Sequence, residues 1–121
     1  MTLGECIRRV DALRPNSAAE EEKARWALEL EGELAAAFLP RYKGPRPMGA
    51  RRWPEDRARE LLGSGPFEEM YTYRVLARCE LMDREWDAYN AHNLMARQLE
   101  SDFKKAWESD HRRKRIGGVT L

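Results

Sequence analysis

The sequence has few of the residues that build disulfide frameworks, metal sites or membrane spans. Its 121 residues include two cysteines and two histidines, and Cys6 and Cys79 are too far apart to form a CxxC pair. The mean hydropathy is -0.79, and no apolar run approaches the roughly 18 residues that a membrane helix needs. The first residues, with acids at Glu5 and Asp11, lack the apolar block of a secretory signal. We therefore expect a cytosolic protein without disulfides.

Side chains in catalytic patterns are equally scarce. His92 and His111 do not form an HExxH motif, the serines lack GxSxG surroundings, and there is no phosphate-binding loop. The consecutive carboxylates at residues 20–22 are typical of a solvated first helical turn, where the helix dipole favours acids. The sequence thus predicts a protein that is not an enzyme and that holds no cofactor and no metal.

Apolar residues recur at helical spacing over most of the chain. Thr2 and Glu5, and again Ser17 and Glu20, have the spacing of a capping box. The apolar pattern predicts helices over about residues 3–14, 17–39, 54–62, 66–82 and 84–109, with Asp83 capping the last. No segment alternates in the manner of a strand. We predict one all-α domain over residues 1–121, a small bundle of about four main helices.

Large apolar residues on the helical stripes form the predicted core. Packing accounts for their spacing better than a ligand pocket does. The core residues are Trp26, Leu30, Leu34, Phe38, Tyr71, Trp86, Tyr89 and Phe103. Asn90 and Asn93 lie close to the stripe of the last helix. They either face solvent or donate hydrogen bonds to a neighbouring loop or subunit.

Charge is balanced in total and uneven in distribution. Twenty-two basic and 21 acidic residues give a net charge of +1, which is too small for a protein that binds nucleic acid over its whole surface. Basic residues gather in a Pro/Gly-rich loop at residues 40–54 and in a C-terminal arm at residues 110–121. The candidate partner-binding residues are Arg41, Lys43, Arg46, Arg51, Arg52, Arg112, Arg113, Lys114, Arg115, Ile116, Val119 and Leu121.

Both basic segments admit more than one interpretation. The loop is either solvated, in contact with an acidic protein partner, or in contact with DNA, and its length favours a function. The arm is either a frayed terminus or a docking peptide. Its four basic residues precede Gly117 and Gly118, a possible hinge, and then three apolar residues that suit a groove or a sheet edge.

Two stretches resemble a known family. The first stretch consists of IRRVDALRPN, an acidic segment and WALELEGELAAAF. The second is ELLGSGPFEEMYTYRVLARCELMDREWDAYNAHNLMARQLESDFKKAW. A Leu-Leu pair, a Pro-aromatic helix start and an acid-aromatic-Tyr-Asn run come in the order found in small helical head-tail connector (adaptor or head-completion) proteins of tailed bacteriophages. The resemblance covers about residues 3–39 and 60–108. The basic loop, Phe67 in place of a common Tyr, and the tail depart from the family pattern.

The resemblance implies a structural subunit of the virion neck, made in the host cytoplasm. Such subunits form a ring, typically twelve-fold, beneath the portal protein, where they extend the DNA channel and dock tail or stopper proteins. The alternative is a phage or bacterial DNA-binding protein, either a small terminase subunit or a helix-turn-helix regulator. Its recognition helix should present basic or amide side chains on one face, whereas the best candidate, residues 55–62, is mixed in charge.

Overall fold

Four α-helices form the protein in a computed structural model that describes the backbone of residues 1–38 and 52–120 and the side chains of 1–38 and 52–110. The helices are α1 (Leu3–Leu13), α2 (Glu20–Phe38), α3 (Glu69–Met82) and α4 (Trp86–Thr120), and a 3-10 turn at Gly65–Phe67 precedes α3. Over these ranges the β-structure is a single isolated bridge between Thr2 and Glu60. The predicted all-α class with four main helices is confirmed.

Helix α3 lies at the centre of the bundle and contacts each of the other three helices. Two ion pairs fix α2 antiparallel to it, because Glu29 pairs with Arg78 at 3.6 Å and Glu33 pairs with Arg74 at 2.9 Å. A connection of three residues, 83–85, turns the chain directly from α3 into α4. Consecutive helices joined by so short a connection are antiparallel neighbours, so α3 and α4 form a helical hairpin.

The core contains most of the residues expected in it. Those that are buried are Trp26, Leu30, Leu34, Phe38, Tyr71 and Phe103, and Tyr89 is half-buried. An aromatic cluster closes one end: Phe38 stacks on Trp107 with ring centroids 4.3 Å apart, and Phe103 meets Phe38 edge-on at 5.5 Å. These contacts join the end of α2 to the middle of α4.

The prediction of a buried Trp86 is wrong, since the side chain is 56% exposed. Arg84 has a left-handed backbone, with φ of 57°, and the Glu85 amide donates to the Glu80 carbonyl. This turn sets the rotation of α4 about its axis. At 100° per residue Trp86 lies about 100° around the helix from the buried Phe103, which places it away from α3.

Three predicted helix boundaries differ from those in the structure, each for a local reason. Helix α2 begins at Glu20 rather than residue 17, since Asn16 accepts from the Ala18 amide and holds the intervening segment in a turn. Helix α3 begins at Glu69 because Pro66 lies in the 3-10 turn before it. Asp83 ends α3 as its C-cap residue, and α4 starts after it at Trp86.

The predicted helix over residues 54–62 does not form. Residues 53–58 make consecutive turns, in which the Asp56 and Arg57 amides donate to carbonyls four and three positions earlier. The segment also pairs with the N-terminal residues. The Gly4 amide donates to the Arg57 carbonyl at 2.9 Å, and the Leu61 amide donates to the Met1 carbonyl at 3.0 Å. Short local turns and long-range backbone bonds thus take the place of one continuous helix.

The end of α4 also differs from the prediction. The helix was expected to end near residue 109, with Gly117 and Gly118 as a hinge, but its backbone continues to Thr120. With 35 residues it is about 52 Å long. The C-terminal segment is therefore a helical extension, despite the low helix propensity of glycine.

Candidate interaction surface

The candidate partner-binding residues fall into three sets in the structure. Arg41, Lys43, Arg46, Arg51 and Leu121 lie outside the described residues. Arg52 is exposed, and its backbone amide donates to the Asp56 carboxylate at 2.7 Å. The remaining six candidates, Arg112, Arg113, Lys114, Arg115, Ile116 and Val119, lie on the helical backbone of α4.

Apolar residues on α4 that point away from α3 form a surface that the sequence did not indicate. Trp86 is 56% exposed, Leu94 is 68% exposed and Met95 is 42% exposed. Asn90, Ala91 and Gln98 are exposed among them. We call these six residues the α4 outer face. Leu94 and Met95 lie outside the helical spacing of the buried residues of α4. Apolar residues at such positions were the sequence signal that could have revealed the α4 outer face.

Charged residues flank the α4 outer face at both ends. Before it, the turn and the first turn of α4 carry three exposed acids and one exposed base: Asp83, Arg84, Glu85 and Asp87. Beyond it, Arg97, Lys104 and Lys105 are exposed, with Asp102 half-buried beside them. A shallow groove runs along this second region, lined by Arg97, Glu100, Ser101, Lys104, Lys105 and Glu108. The first of these regions is thus mainly acidic, whereas the second carries charges of both signs.

The acidic character of α2 is concentrated at its start. Glu29 and Glu33 contact Arg78 and Arg74 of α3, so part of the helix's negative charge is neutralised within the chain. The three acids at residues 20–22 open the helix, and of these Glu22 contacts Arg25 on the next turn. The first turn is therefore the strongest acidic feature of this helix.

One buried cluster resembles catalytic machinery in composition. Glu80 is fully buried, and its two carboxylate oxygens lie 2.7 Å and 2.9 Å from Nδ1 of His92. Arg14 donates to the same carboxylate at 3.0 Å. The ring of Tyr73 stacks on the imidazole with centroids 5.7 Å apart. A carboxylate that orients an imidazole is part of the usual arrangement for a general base.

The surroundings of Glu80 indicate a structural role. Its carboxylate joins residues of α1, α3 and α4, and the neighbouring Cys79 is 1% exposed. Full burial separates Glu80 from any substrate at the surface. Within the part of the chain that the structure describes, no group of three or more His, Cys, Asp or Glu side chains is placed to hold a metal ion.

A second buried carboxylate, Glu31, holds the segment that leads into α3. The Tyr71 hydroxyl donates to it at 2.5 Å and the Leu62 amide donates at 2.8 Å. The Tyr71 oxygen in turn accepts from the Gly63 amide at 2.8 Å. Burial, reinforced by the nearby Glu31, raises the pKa of Tyr71 above its ordinary value.

Gly63 is required by this close packing. A Cβ at that position would lie 2.1 Å from the Met70 methyl and 3.0 Å from the Tyr71 ring. Sequence reasoning missed Glu31 and Glu80, although both follow buried apolar residues at helical spacing. Glu31 is four positions after Ala27, and Glu80 is four after Leu76. An acid in register with a buried stripe was the available signal.

Comparison of the chain with protein-family models, with curated proteins and with solved structures gives no significant match. In the described parts of the chain, no helix is long and apolar enough to cross a membrane. Function is therefore inferred from the surfaces described above and from the order of sequence features that resembles the connector proteins.

Proposed function

We propose that this chain is a structural subunit of the head-tail connector of a tailed bacteriophage. Copies of it form a ring, typically twelve-fold in the family that it resembles, beneath the portal protein of the virion neck. The ring extends the channel through which DNA passes and docks tail or stopper proteins. It performs no catalysis and needs no cofactor.

The observation that carries this proposal is the α4 outer face. The domain buries a core of its own and still exposes Trp86, Leu94 and Met95. Several large apolar residues exposed on one side of a helix in a small domain are typical of a protein that works within an assembly. The two segments that resemble connectors also coincide with the two helical pairs, since residues 3–39 contain α1 and α2 and residues 60–108 contain α3 and most of α4.

Ring contacts in this proposal are heterologous. The acidic first turn of α2, at residues 20–22, meets the basic loop at residues 40–54 of the adjacent copy. Each copy offers both surfaces, so one type of interface is sufficient to close a ring. Exposed ion pairs contribute only about 0–1 kcal/mol each, so apolar contacts and the number of copies supply the remaining stability.

The C-terminal residues 111–121 contact the portal or a neighbouring subunit. Their four consecutive basic residues assist the encounter with an acidic surface, and Ile116, Val119 and Leu121 then occupy apolar sites. The helical backbone through Thr120 changes one detail of the sequence-based expectation. The docking element is presented from the end of α4 and not from a glycine hinge.

Electron microscopy of the protein mixed with its own portal tests the proposal. We expect a ring of additional density on the portal, which the double variant Arg51→Glu, Arg52→Glu weakens. A chain lacking residues 116–121 should keep its melting temperature and fail to join the portal. If instead no ring forms and the protein shifts random DNA in gels with a steep dependence on salt, the DNA-binding alternative replaces the connector.

A further inference from the structure

The directions of the helices decide which charged residues lie together at each end of the bundle. Helix α1 is parallel to α3, because Met1 before its start contacts Glu68 at 3.0 Å and Arg14 at its end donates to Glu80 at 3.0 Å. Helix α2 is antiparallel to α3, so it begins where α1 and α3 end. The end of α1, the start of α2 and the turn at residues 83–85 therefore lie at the same end of the bundle.

This end has an excess of negative charge when every charged residue in it is counted. We call it the acidic end, and it consists of residues 11–25 and 80–87, with eight acids and four bases, a net charge of -4. Four of the acids form ion pairs within the bundle: Asp11, Glu22, Glu80 and Glu85. The other four are exposed and form no ion pair with the described part of the chain: Glu20, Glu21, Asp83 and Asp87. One exposed base, Arg84, lies among them.

Large apolar side chains are exposed at the same end. Leu13 at the end of α1 is 59% exposed, Met82 at the end of α3 is 51% exposed, and Trp86 at the start of α4 is 56% exposed. Exposed apolar residues beside unpaired charges of one sign suit a partner segment that has the opposite charge and apolar residues of its own.

Residues 111–121 combine these two features. They contain four bases and no acid, and even with Asp110 before them the net charge is +3. Their large apolar residues are Ile116, Val119 and Leu121. Helix α4 is continuous from Trp86 onward, so residue 111 lies roughly 38 Å along it from the acidic end. This separation prevents the segment from binding the acidic end of its own copy.

We propose that the acidic end of one copy of this chain binds residues 111–121 of a second copy. The four bases of the segment pair with the exposed acids, and its apolar residues pack on Leu13, Met82 and Trp86. The inference rests on the proposed function in treating residues 111–121 as a docking element, and it names the surface that receives them. Because the contact joins two different surfaces, each copy binds one neighbour through each of them.

The ring contact in the proposed function joins the same two ends. The basic loop at residues 40–54 follows α2, whose last residue, Phe38, stacks on Trp107 far from the start of α4. Two basic segments of one copy thus meet the acidic end of the next. The loop meets the first turn of α2, and residues 111–121 meet the ends of α1 and α3 and the start of α4.

Sedimentation equilibrium of two complementary variants tests this contact. The variant Asp83→Lys, Asp87→Lys keeps residues 111–121 and loses the acidic end, whereas a chain that stops at Asp110 keeps the acidic end and loses the segment. Each variant alone should remain a monomer. An equimolar mixture should form a heterodimer of about twice the 14.1 kDa of one chain and nothing larger. Wild-type protein, which has both surfaces, should exceed the dimer mass as its concentration rises.

A matched pair of substitutions on α4 tests the apolar part of the contact. Trp86→Ser should raise the dissociation constant of wild-type self-association by about tenfold. Leu94→Ser is the control, because Leu94 is at least as exposed, at 68%, but lies outside the acidic end, and it should leave association unchanged. Circular dichroism checks that all variants remain folded.

A mixture of the two complementary variants that stays monomeric overturns the inference, as does wild-type protein that stays monomeric up to about 1 mM. Self-association that either variant retains alone also overturns it, because it would require a contact other than the proposed one. A loss in Leu94→Ser larger than that in Trp86→Ser would move the contact from the acidic end to the α4 outer face.

These experiments contain no portal, so their outcome is separate from that of the connector proposal. If they fail while the full chain forms a ring on the portal, the connector proposal stands and residues 111–121 bind the portal. If they succeed and no ring forms on the portal, the connector proposal fails and the contact between copies stands.

Discussion

Glu31 and Glu80 are both buried carboxylates, but the donors that hold them have different access to water. The described donors to Glu31 are the Tyr71 hydroxyl, which is buried, and the Leu62 amide. The donors to Glu80 are Arg14 and His92, whose side chains are 33% and 28% exposed. The comparison shows that burial of an acceptor does not by itself set the cost of losing it, because that cost depends on whether its donors can reach water.

The two carboxylates also stabilise different levels of structure. Glu31 holds the path of residues 61–63, which have no helix of their own, and so fixes the entry into α3. Glu80 joins three helices that are already formed, and Arg14 extends the same contact to Glu85 in the turn before α4, at 3.6 Å. One site therefore specifies a loop, and the other specifies how helices pack.

The largest loss of stability that we predict is for an apolar substitution beside Glu31. It provides a reference against which the losses from substituting the buried carboxylates can be compared. Leu34 is fully buried one turn after Glu31 on α2. Leu34→Ala should lower the free energy of unfolding by about 2–5 kcal/mol through lost transfer energy and a cavity. Urea denaturation followed by circular dichroism measures the change. A cost under about 1 kcal/mol would show that the core at this position is not packed as described.

Loss of the Glu31 charge should cost less than the cavity and more than any change at Glu80. In Glu31→Gln the amide group must point its NH₂ at one of two donors, and neither donor can turn freely to water. We expect a loss of about 1–3 kcal/mol. Tyr71→Phe should cost a similar amount, since it leaves the Gly63 amide without its acceptor.

The double variant of Glu31 and Tyr71 separates a shared network from two independent sites. Because both residues belong to one set of hydrogen bonds, the losses should not add, and the double variant should cost less than the sum of the single ones. Additive losses would contradict the description of the pair as a unit.

Glu80→Gln is predicted to cost only about 0.5–1.5 kcal/mol. Removing one partner of a buried ion pair is severe when the other charge stays buried, but here Arg14 and His92 can turn toward water. The substitution also removes the cost of holding a charge in the interior. Glu29→Gln, in an exposed pair with Arg78, serves as the surface control and should cost about 0–1 kcal/mol. A loss at Glu80 equal to that at Glu31 would break the comparison.

The sequence predicted the regular elements better than the connections between them. The capping box at Thr2 is present, with the Glu5 amide donating to its hydroxyl at 3.1 Å, because the interaction spans three residues and depends on no other part of the chain. The helix expected at residues 54–62 failed because backbone bonds to Met1 and Gly4 lie more than 50 positions away. Local patterns carry no information about such partners.

The same reasoning explains what was missed in the candidate surface. Trp86 belongs to an apolar stripe in sequence, but the turn at Arg84 decides the direction in which α4 starts. The buried role of Glu80 depends on His92 from another helix. Periodicity gives the face on which a residue lies within its helix, whereas tertiary packing decides which face is covered.

The two cysteines provide the last and smallest test, since each reports on one of the two carboxylate sites. Cys79 is adjacent to Glu80 in sequence, and Cys6 is buried in the same core cluster as Tyr71, which donates to Glu31. Burial raises the pKa of Cys6 from 9.0 to about 12 and that of Cys79 to about 11. The stability that the protonated thiols contribute is fully present below pH 9 and is lost as the pH rises toward 11–12.

At pH 8, therefore, both thiols are protonated and sheltered, and a thiol reagent labels them only when the structure opens locally. Glu80→Gln should raise the labelling rate of Cys79 about two- to twelvefold relative to that of Cys6, since a loss of about 0.5–1.5 kcal/mol confined to one site changes local opening by that factor. Glu31→Gln should instead raise the labelling rate of Cys6 relative to that of Cys79. Mass spectrometry of peptides from partially labelled protein gives the two rates separately. Equal acceleration of both cysteines in each variant would mean that the carboxylates stabilise the bundle only as a whole, and the distinction between a site that holds a loop and one that holds helices together would fail.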